Sequence, residues 1–532
     1  MKILVCDPIS PRGIALLKER PEFKVEVLPR RLSEAELLPV VADAVAMVVR
    51  SETKVTKKIL AAAPKLRVVG RAGVGVDNVD VQSATQQGVV VMNTPAGNTI
   101  STAELSFTML LNLARKVPQA HGSMVAGKWD RKLFQGIELA GKTLGVLGMG
   151  RIGTEVARRA IAFGMRVVGY DPFLTEARAK TLGVELASDL DLVYRESDFI
   201  TVHMPVTEQT RGMLNTAAFS KMKPAVRIVN CARGEIIIEH DLLAALDTGK
   251  VAAAALDVFI VEPLAADHPF RKHPNIILTP HLGASSEEAQ EKCGIEVAEV
   301  ITAYLLTGEV RNAVNLPYLD AKTYEEVKPY LLLGEKLGRL LAQLAPPHID
   351  RLHVTYGGNA RELPNIDPVT RAVLQGFLSR ASVKDLNNIN VRSIASTLGL
   401  TVEEKRSNEP VTFNEWLHVQ AFHGSEKIIS AGGTFFGSPN NPRIVRLYSM
   451  PVEIPINGIM LLLSNKDRPG IVGYLGTLLG RHNVNIASMS LSRDTAGGDA
   501  FTVLNLDSEP PAAMMEELEK DPHISNVKLV KL

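Results

Sequence analysis

Hydrophobic residues in the first part of this chain fall into short runs that alternate with stretches of helical periodicity. Two such stretches, Ser10–Arg20 and Thr56–Ala63, predict helices between the runs. Apolar runs of this length, bounded by polar segments, are typical of buried parallel strands. The predicted strands are Ile3–Cys6, Lys24–Leu28, Ala46–Val49, Leu66–Val69 and Val89–Met92. The N-terminal pattern therefore predicts a small α/β layer.

A second series of apolar runs begins at Leu144, and helical segments separate most of its members. These strands are predicted at Leu144–Leu147, Arg166–Tyr170, Phe199–His203, Arg227–Cys231, Ala253–Val258 and Ile276–Leu278. Such a series favours a doubly wound parallel sheet. A long helix, Thr99–Ala126 with a break at Pro118, is predicted before it, and the helix Ser285–Leu306 after it is predicted to return to the first layer. The doubly wound domain would thus be inserted in a smaller substrate domain, with a cleft between two lobes.

The remaining part of the chain predicts two further domains. Asn315-Leu316-Pro317 indicates a boundary, and the helical and strand-like runs after it predict an α+β domain. From Gly458 the order of runs is βαββαβ, which predicts a ferredoxin-like unit. The predicted division is 1–97 and 283–315 for the substrate domain, 98–282 for the nucleotide domain, 316–455 for the middle domain and 456–532 for the C-terminal domain.

Composition mainly argues against certain partners and compartments. Lys and Arg number 59 against 58 Asp and Glu, so no net field attracts nucleic acid or an anionic membrane. The N-terminal segment MKILVCDPIS lacks a signal peptide's apolar stretch, and no apolar run is long enough to span a membrane. The 3 cysteines are far apart, which argues against a disulfide framework. We expect a cytoplasmic protein without nucleic-acid or membrane partners, and no metal ligand set is predicted.

The strongest chemical motif is the turn Gly148-Met149-Gly150-Arg151-Ile152-Gly153 between the first strand and helix of the second series. Glycines here permit a tight turn and close approach of a pyrophosphate, and the helix N-terminus offers unpaired N–H groups. Asp171 closes the next strand, where it can accept hydrogen bonds from an adenosine ribose and would repel a 2′-phosphate. Strand, glycines, helix, strand and acid in register predict NAD rather than NADP.

Three polar residues follow strands in the second half of the predicted sheet: Arg233, Glu262 and His281. Hydride transfer from a secondary alcohol needs a base for the hydroxyl proton, and histidine titrates near neutrality. Glu262 is the predicted partner that fixes its tautomer, and Arg233 is predicted to hold the carboxylate of a 2-hydroxy acid in two hydrogen bonds. The alternatives are a structural histidine, a helix-capping arginine and a surface acid. Cys231 is predicted to be a small core residue.

The chain resembles the D-isomer-specific 2-hydroxy acid dehydrogenase family. The matching motifs cover about the first 315 residues in family order: Arg71–Asp80, Gly148–Gly153, Val229–Gly234, Leu256–Phe259 with Glu262-Pro263, and Pro280–Ala284. The resemblance implies that Arg233 orients substrate, Glu262 supports the histidine and His281 is the acid/base. It also implies a set of NAD-binding residues: Val74, Gly148, Gly150, Arg151, Ile152, Gly153, Asp171, Cys231, Ala232, Arg233, Asp257, His281, Gly283 and Ala284.

The C-terminal segment narrows the substrate that this resemblance implies. Asn465–Gly470 followed by Asn483–Ile486 resembles an ACT domain, a module that commonly binds amino acids. The middle domain is similar, more loosely, to an intervening domain of the allosteric substrate-binding type. Family members with this tail imply NAD-dependent oxidation of 3-phospho-D-glycerate to 3-phosphohydroxypyruvate, the first step of L-serine synthesis, in a dimer or tetramer.

Further residues carry the remaining expectations. Arg50 and Arg71 each follow a strand of the first lobe and are expected on the substrate with Arg233 and His281. Serine is the expected effector, facing Asp467 and Asn485 where two C-terminal domains meet. Reduction of 2-oxoglutarate is expected as a side reaction. The alternatives are a glyoxylate or hydroxypyruvate reductase, another D-2-hydroxy acid dehydrogenase, and a non-catalytic NAD sensor.

Overall fold

The first lobe is a five-stranded parallel sheet covered by helices on both faces. The structure is a computed structural model that describes residues 1–316, 321–380, 386–409, 415–438 and 441–532. The strands are β1 (Lys2–Val5), β2 (Lys24–Val27), β3 (Ala46–Val49), β4 (Val68–Arg71) and β5 (Val90–Met92), in the order β2-β1-β3-β4-β5. The helices are α1 (Pro11–Lys18), α2 (Glu34–Val41), α3 (Lys57–Ala61) and α4 (Val81–Gln86). Every strand predicted in this lobe is present, shifted by two residues at most.

The second lobe is a seven-stranded, all-parallel sheet, which confirms the doubly wound class. Its strands are β6 (Thr143–Leu147), β7 (Arg166–Tyr170), β8 (Glu185–Leu186), β9 (Phe199–Val202), β10 (Val226–Asn230), β11 (Val251–Leu256) and β12 (Ile276–Leu278). Its helices are α5 (Thr99–Arg115), α6 (Val117–Val125), α7 (Arg151–Ala162), α8 (Glu176–Leu182), α9 (Leu190–Glu196), α10 (Thr216–Lys221) and α11 (Glu239–Asp247). The order β12-β11-β10-β9-β6-β7-β8 reverses direction between β6 and β9, and ligands of such sheets bind at the strand ends beside that point.

Two details of this lobe differ from the prediction. The two-residue strand β8 was not predicted, because it is too short to form an apolar run. The long helix breaks at Lys116 and not at Pro118, since Lys116 adopts a left-handed conformation with φ of 52°. Pro118 instead lies in the first turn of α6, where its missing N–H costs no hydrogen bond.

Helix α12 (Glu287–Thr307) leaves the second lobe and packs on the first, against α1. The two helices approach closely where Gly13 meets Gly294, and a side chain at Gly13 would overlap the carbonyl of Gly294. Val297 and Ile301 enter the core of the first lobe. The carboxyl ends of β4 and β10 consequently face each other across the lobes, as the contact between Asp77 and Arg233 shows.

The remaining elements form a mixed six-stranded sheet and a smaller antiparallel one. The part of the chain that forms the six-stranded sheet contains α13 (Ala321–Leu344), β13 (Arg351–Gly358), α14 (Asp367–Leu378), α15 (Val391–Thr397), β14 (Thr401–Arg406), β15 (Glu415–His423), β16 (Glu426–Phe435), β17 (Pro442–Leu447) and β18 (Met450–Pro455). The part that forms the antiparallel sheet contains β19 (Ile459–Lys466), α16 (Ile471–Arg481), β20 (Ile486–Arg493), β21 (Asp499–Leu506), α17 (Ala512–Lys520) and β22 (Ile524–Lys531). Its order, β20-β21-β19-β22, confirms the ferredoxin-like unit. The predicted boundary ends at Pro317, which lies outside the described residues.

The two C-terminal sheets share one hydrophobic core. Along β19, Leu461 and Leu463 pack with α16 and α17, whereas Met460 and Leu462 belong to the cluster built on α13. Alternate side chains of a strand point to opposite faces, so the small sheet is buried on both. Among the described residues, no helix is both long and apolar enough to cross a membrane.

Candidate active site

Three glycines shape the turn between β6 and α7, and each meets a different need. Gly148 has φ of 96°, which L side chains rarely adopt, and a Cβ there would lie 2.5 Å from the carbonyl oxygen of His203. At Gly153 a Cβ would overlap the carbonyl of Gly148, so α7 can pack on the turn only without one. A Cβ at Gly150 would meet no protein atom within 4 Å. The middle glycine therefore borders open space, where a ligand can approach the backbone.

The surroundings of this turn fit a dinucleotide. Gly150 caps α7 without a side-chain hydrogen bond, which leaves the first N–H groups of the helix for an anion. Asp171 lies beside the turn: Oδ2 accepts from the N–H of Met149 at 2.9 Å, and Oδ1 accepts from the N–H of Phe173 at 2.8 Å. Arg151 is exposed and Ile152 is half-buried at the same helix end. The predicted adenosine-side residues are thus grouped at the carboxyl ends of the neighbouring strands β6 and β7.

His281 and Glu262 form a hydrogen-bonded pair. Nδ1 of His281 lies 2.8 Å from Oε2 of Glu262, and the side chains are 42% and 37% exposed. Burial alone would raise the pKa of Glu262. The hydrogen bond with His281, the electrostatic interaction with the same imidazole and the hydrogen bond from the N–H of Phe259 outweigh burial and hold that pKa below its ordinary value. Because Nδ1 is engaged, proton exchange with a ligand falls to Nε2.

Asp257 fixes the loop that carries His281. Its fully buried carboxylate accepts hydrogen bonds from the Thr279 hydroxyl (2.6 Å), the N–H of Leu282 (2.7 Å) and the N–H of Gly283 (2.9 Å). Burial raises the pKa of Asp257, and these hydrogen bonds only partly offset that rise. His281 itself has φ of 54°, so the loop needs such support. A contact of Asp257 with the nicotinamide stays a prediction.

Arg233 reaches across to the first lobe. Its Nε donates to Oδ2 of Asp77 at 3.0 Å, Nη2 lies 2.9 Å from the same oxygen, and Nη1 donates to the carbonyl of Ala232 at 2.6 Å. Asn230 supports the turn by donating to the carbonyl of Arg233 and accepting from the N–H of Ala232. The predicted substrate arginine is therefore held at the interface of the two lobes.

A second arginine, Arg71, lies half-buried near the first. Burial, followed by the charge of Arg233, lowers the pKa of Arg71 to about 10, and Arg50 contributes in the same direction. Arg50 donates its backbone N–H to Asp7 at 2.6 Å. Val74 lies on the turn that follows Arg71, and its carbonyl accepts a hydrogen bond from the Asn93 side chain at 2.6 Å. The structure thus brings Arg50 and Arg233, the other two predicted substrate arginines, within electrostatic range of Arg71.

Other predicted residues lie on the wall of the second lobe. Cys231 is buried with its Sγ 3.4 Å from the sulfur of Met109, and burial raises its pKa to about 12, as expected for a core thiol. Gly283 is buried against Thr102, whose hydroxyl donates to its carbonyl at 2.9 Å, and Ala284 is half-buried. The contacts of Cys231, Ala232, Gly283 and Ala284 with NAD stay predictions.

The two predicted effector residues are not brought together within one chain. Asp467 follows β19 and accepts from Arg493 (2.7 Å) and the N–H of Gly497 (3.0 Å). Asn485 precedes β20, whose first residue pairs near the opposite end of the sheet, and donates to Asp507 at 2.7 Å. A site that contains both residues therefore requires two copies of the chain.

Comparison with known proteins gives three family matches along the chain. Residues 107–283 match the model described as D-isomer specific 2-hydroxyacid dehydrogenase, NAD binding domain. Residues 326–448 match the D-3-phosphoglycerate dehydrogenase intervening domain, and residues 459–523 match the ACT domain. The three matches occur in the order predicted from the sequence motifs.

Full-length relatives decide the family. D-3-phosphoglycerate dehydrogenase of Synechocystis sp. is 44% identical over 531 residues, with 100% of this chain and 95% of the relative covered. Its namesake from Methanocaldococcus jannaschii is 40% identical, with 100% of both chains covered. The chain belongs to the D-3-phosphoglycerate dehydrogenase family. The TT0316 protein of Thermus thermophilus is a structural neighbour at TM-score 0.55 and 34% identity, covering 59% of this chain and 100% of its own.

Membership in the D-3-phosphoglycerate dehydrogenase family makes the protein an NAD-dependent oxidoreductase. Three residues in or near its site were not predicted from the sequence. Asp77 lies in a quoted motif without an assigned role, and Thr279 lies two residues before His281. Asp7 lies two residues after the first strand of a parallel sheet, a position at which polar residues commonly line a ligand site.

The glycine turn gives a pair of matched variants. Gly150→Ala should fold with the wild-type melting temperature, because its Cβ meets no protein atom, yet bind NAD at least about tenfold more weakly. Gly153→Ala should lower stability by about 1–3 kcal/mol, since its Cβ overlaps backbone. Calorimetric titration with NAD and thermal melting measure the two effects. Full NAD affinity in a folded Gly150→Ala protein would contradict this placement of the cofactor.

Proposed function

We propose that this protein oxidises 3-phospho-D-glycerate to 3-phosphohydroxypyruvate with NAD, the first step of L-serine synthesis. The observation that carries the proposal is the His281–Glu262 pair near Arg233, at strand ends where a second half-buried arginine, Arg71, can bind an anion. The full-length relatives carry the name of this activity. NAD, when bound at the glycine turn, supplies the acceptor for the hydride.

The side chains divide the chemistry between them. Arg233 holds the substrate carboxylate, which fixes the carbon that bears the hydroxyl. His281 accepts the hydroxyl proton at Nε2 as the hydride leaves that carbon and its carbonyl forms. Glu262 stabilises the imidazolium through Nδ1, at the 2.8 Å contact described above. Asp257 acts through the loop, by holding the backbone next to His281 in place.

Phosphate recognition is assigned to the first lobe. Arg50 and Arg71 lie at the carboxyl ends of β3 and β4, on the side that faces Arg233. A phosphate carries close to two negative charges, so its transfer from water requires more than one cation. Burial makes Arg71 costly to keep charged without an anion, which favours a ligand with high negative charge in this position.

His281→Asn tests the acid/base role. The variant should lower kcat for NAD reduction with 3-phosphoglycerate by about a hundredfold or more, while the Kd for NAD stays unchanged. The matched control is His240→Asn, an exposed histidine of the same lobe whose rates should match the wild type. Wild-type turnover in His281→Asn would remove the assignment, and no turnover by the wild-type protein at any pH would remove the proposed function.

Arg50→Ala tests phosphate recognition. Loss of a charge-assisted contact should lower kcat/KM for 3-phosphoglycerate about tenfold or more, with little change for unphosphorylated D-glycerate. The exposed Arg12 of the same lobe gives the control Arg12→Ala. Equal losses for both substrates would mean that Arg50 does not contact phosphate.

Regulation by serine is proposed for the ACT domain. The support is the half-buried Asp467 in the turn after β19, where hydrogen bonds from the N–H of Gly497 and from Arg493 lower its pKa and keep it charged to bind an amino group. Asn485 would come from a second chain, because the two residues lie at opposite ends of one sheet.

A serine titration measures this regulation. Millimolar serine should lower the rate and raise the melting temperature, and Asp467→Ala should abolish both effects. Asp494→Ala changes an exposed acid of the same domain and should keep the response. No response of the wild-type protein in either measurement would leave the domain an assembly element or the site of another effector.

We also propose that the chain is a homo-oligomer that works in the cytoplasm. Large apolar side chains are exposed on α6 and the segment after it, among them Met124, Val125, Trp129 (74% exposed) and Leu133. A patch of this kind is typical of a protein interface. Sedimentation velocity measures the association. The free, buried state of Cys6, Cys231 and Cys293 is consistent with a reducing compartment.

A further inference from the structure

Asp77 forms an ion pair that joins the two lobes. It lies in the turn after β4, and its Oδ2 takes both contacts from Arg233, 3.0 Å from Nε and 2.9 Å from Nη2. This Nε–Nη2 edge is one that a guanidinium uses to hold a carboxylate in two parallel hydrogen bonds. Asp77 therefore occupies, in this structure, the edge of Arg233 that a substrate carboxylate would use.

The geometry of the pair leaves room for a better ligand. One oxygen of Asp77 serves two donors, whereas a carboxylate placed between them can offer one oxygen to each. Arg233 does not need Asp77 for its orientation, because Nη1 donates to the carbonyl of Ala232 within its own lobe. Asp77 therefore contributes a negative charge and does not set the orientation of Arg233.

Separation of Asp77 from Arg233 also costs little free energy. Its side chain is 70% exposed, against 27% for Arg233, and an exposed carboxylate regains water when its partner turns away. Gly75 keeps the space beside the pair clear, since a Cβ there would overlap Nη2 of Arg233. The charge of Asp77 extends to Arg71 as well, where it opposes the lowering of the pKa by burial.

We propose that Asp77 competes with the substrate carboxylate for Arg233. Asp77 pairs with Arg233 in the free protein and is displaced when the substrate binds. The inference rests on the proposed function, because it takes Arg233 as the carboxylate-binding residue. Asp77 would partly neutralise the arginines between turnovers, so that simple anions gain less by entering. Asp77 then sets the charge of the empty site and has no part in the chemical step.

Asp77→Asn removes the charge and keeps the shape. We expect the KM for 3-phosphoglycerate to fall about threefold to fivefold at low ionic strength, with kcat unchanged. The effect should shrink at high salt, where exposed charges are screened. Asp77→Glu keeps the anion and should restore the wild-type KM. Asp80→Asn is the matched control, since Asp80 lies in the same motif but caps α4.

Binding of oxalate in the presence of NADH gives a second measurement that needs no turnover. Its calorimetric Kd should fall by a similar factor in Asp77→Asn and stay unchanged in Asp80→Asn. Tighter oxalate binding in a protein that does not oxidise 3-phosphoglycerate would uphold the inference while the proposed function fails. An unchanged Kd and KM in Asp77→Asn, or a raised KM with a lowered kcat, would overturn it.

Discussion

The candidate site depends on a single buried carboxylate. Asp257 sits at the end of β11 with no exposure to solvent, and its oxygens accept hydrogen bonds from the hydroxyl and backbone N–H groups of the segment after β12. A buried charge without such partners would be strongly destabilising, so the segment has little freedom to adopt another shape. That shape places His281 in a left-handed conformation beside Glu262. The proton-transfer geometry is thus set by an acid that need not touch the reacting atoms.

Much of the fold could be predicted because local patterns decide it. The apolar runs that became β3, β7 and β12 are continuous and short, and a parallel sheet buries such strands on both faces. The turn at Gly148 to Gly153 was predictable for the same reason, since every part of it is close in sequence. β8 was not, because two residues carry no period.

What the pattern could not predict depends on contacts between distant segments. Asp77 and Arg233 are 156 residues apart, and their pairing follows from how α12 sets one lobe against the other. The partners of Asp257 are backbone groups, which no side-chain pattern reports. The shared core left one sign: Met460 to Leu463 are apolar without alternation, as in a strand covered on both sides.

That shared core has a consequence for how the chain can be divided. The ACT domain is delimited clearly by its own elements, yet Met460, Leu462 and Val503 are completed by α13, more than a hundred residues earlier. If the last domain were expressed alone, this sheet face would become a large apolar patch in water and would promote aggregation. An autonomous regulatory module would therefore have to be excised together with the intervening domain, as a single cooperative folding unit.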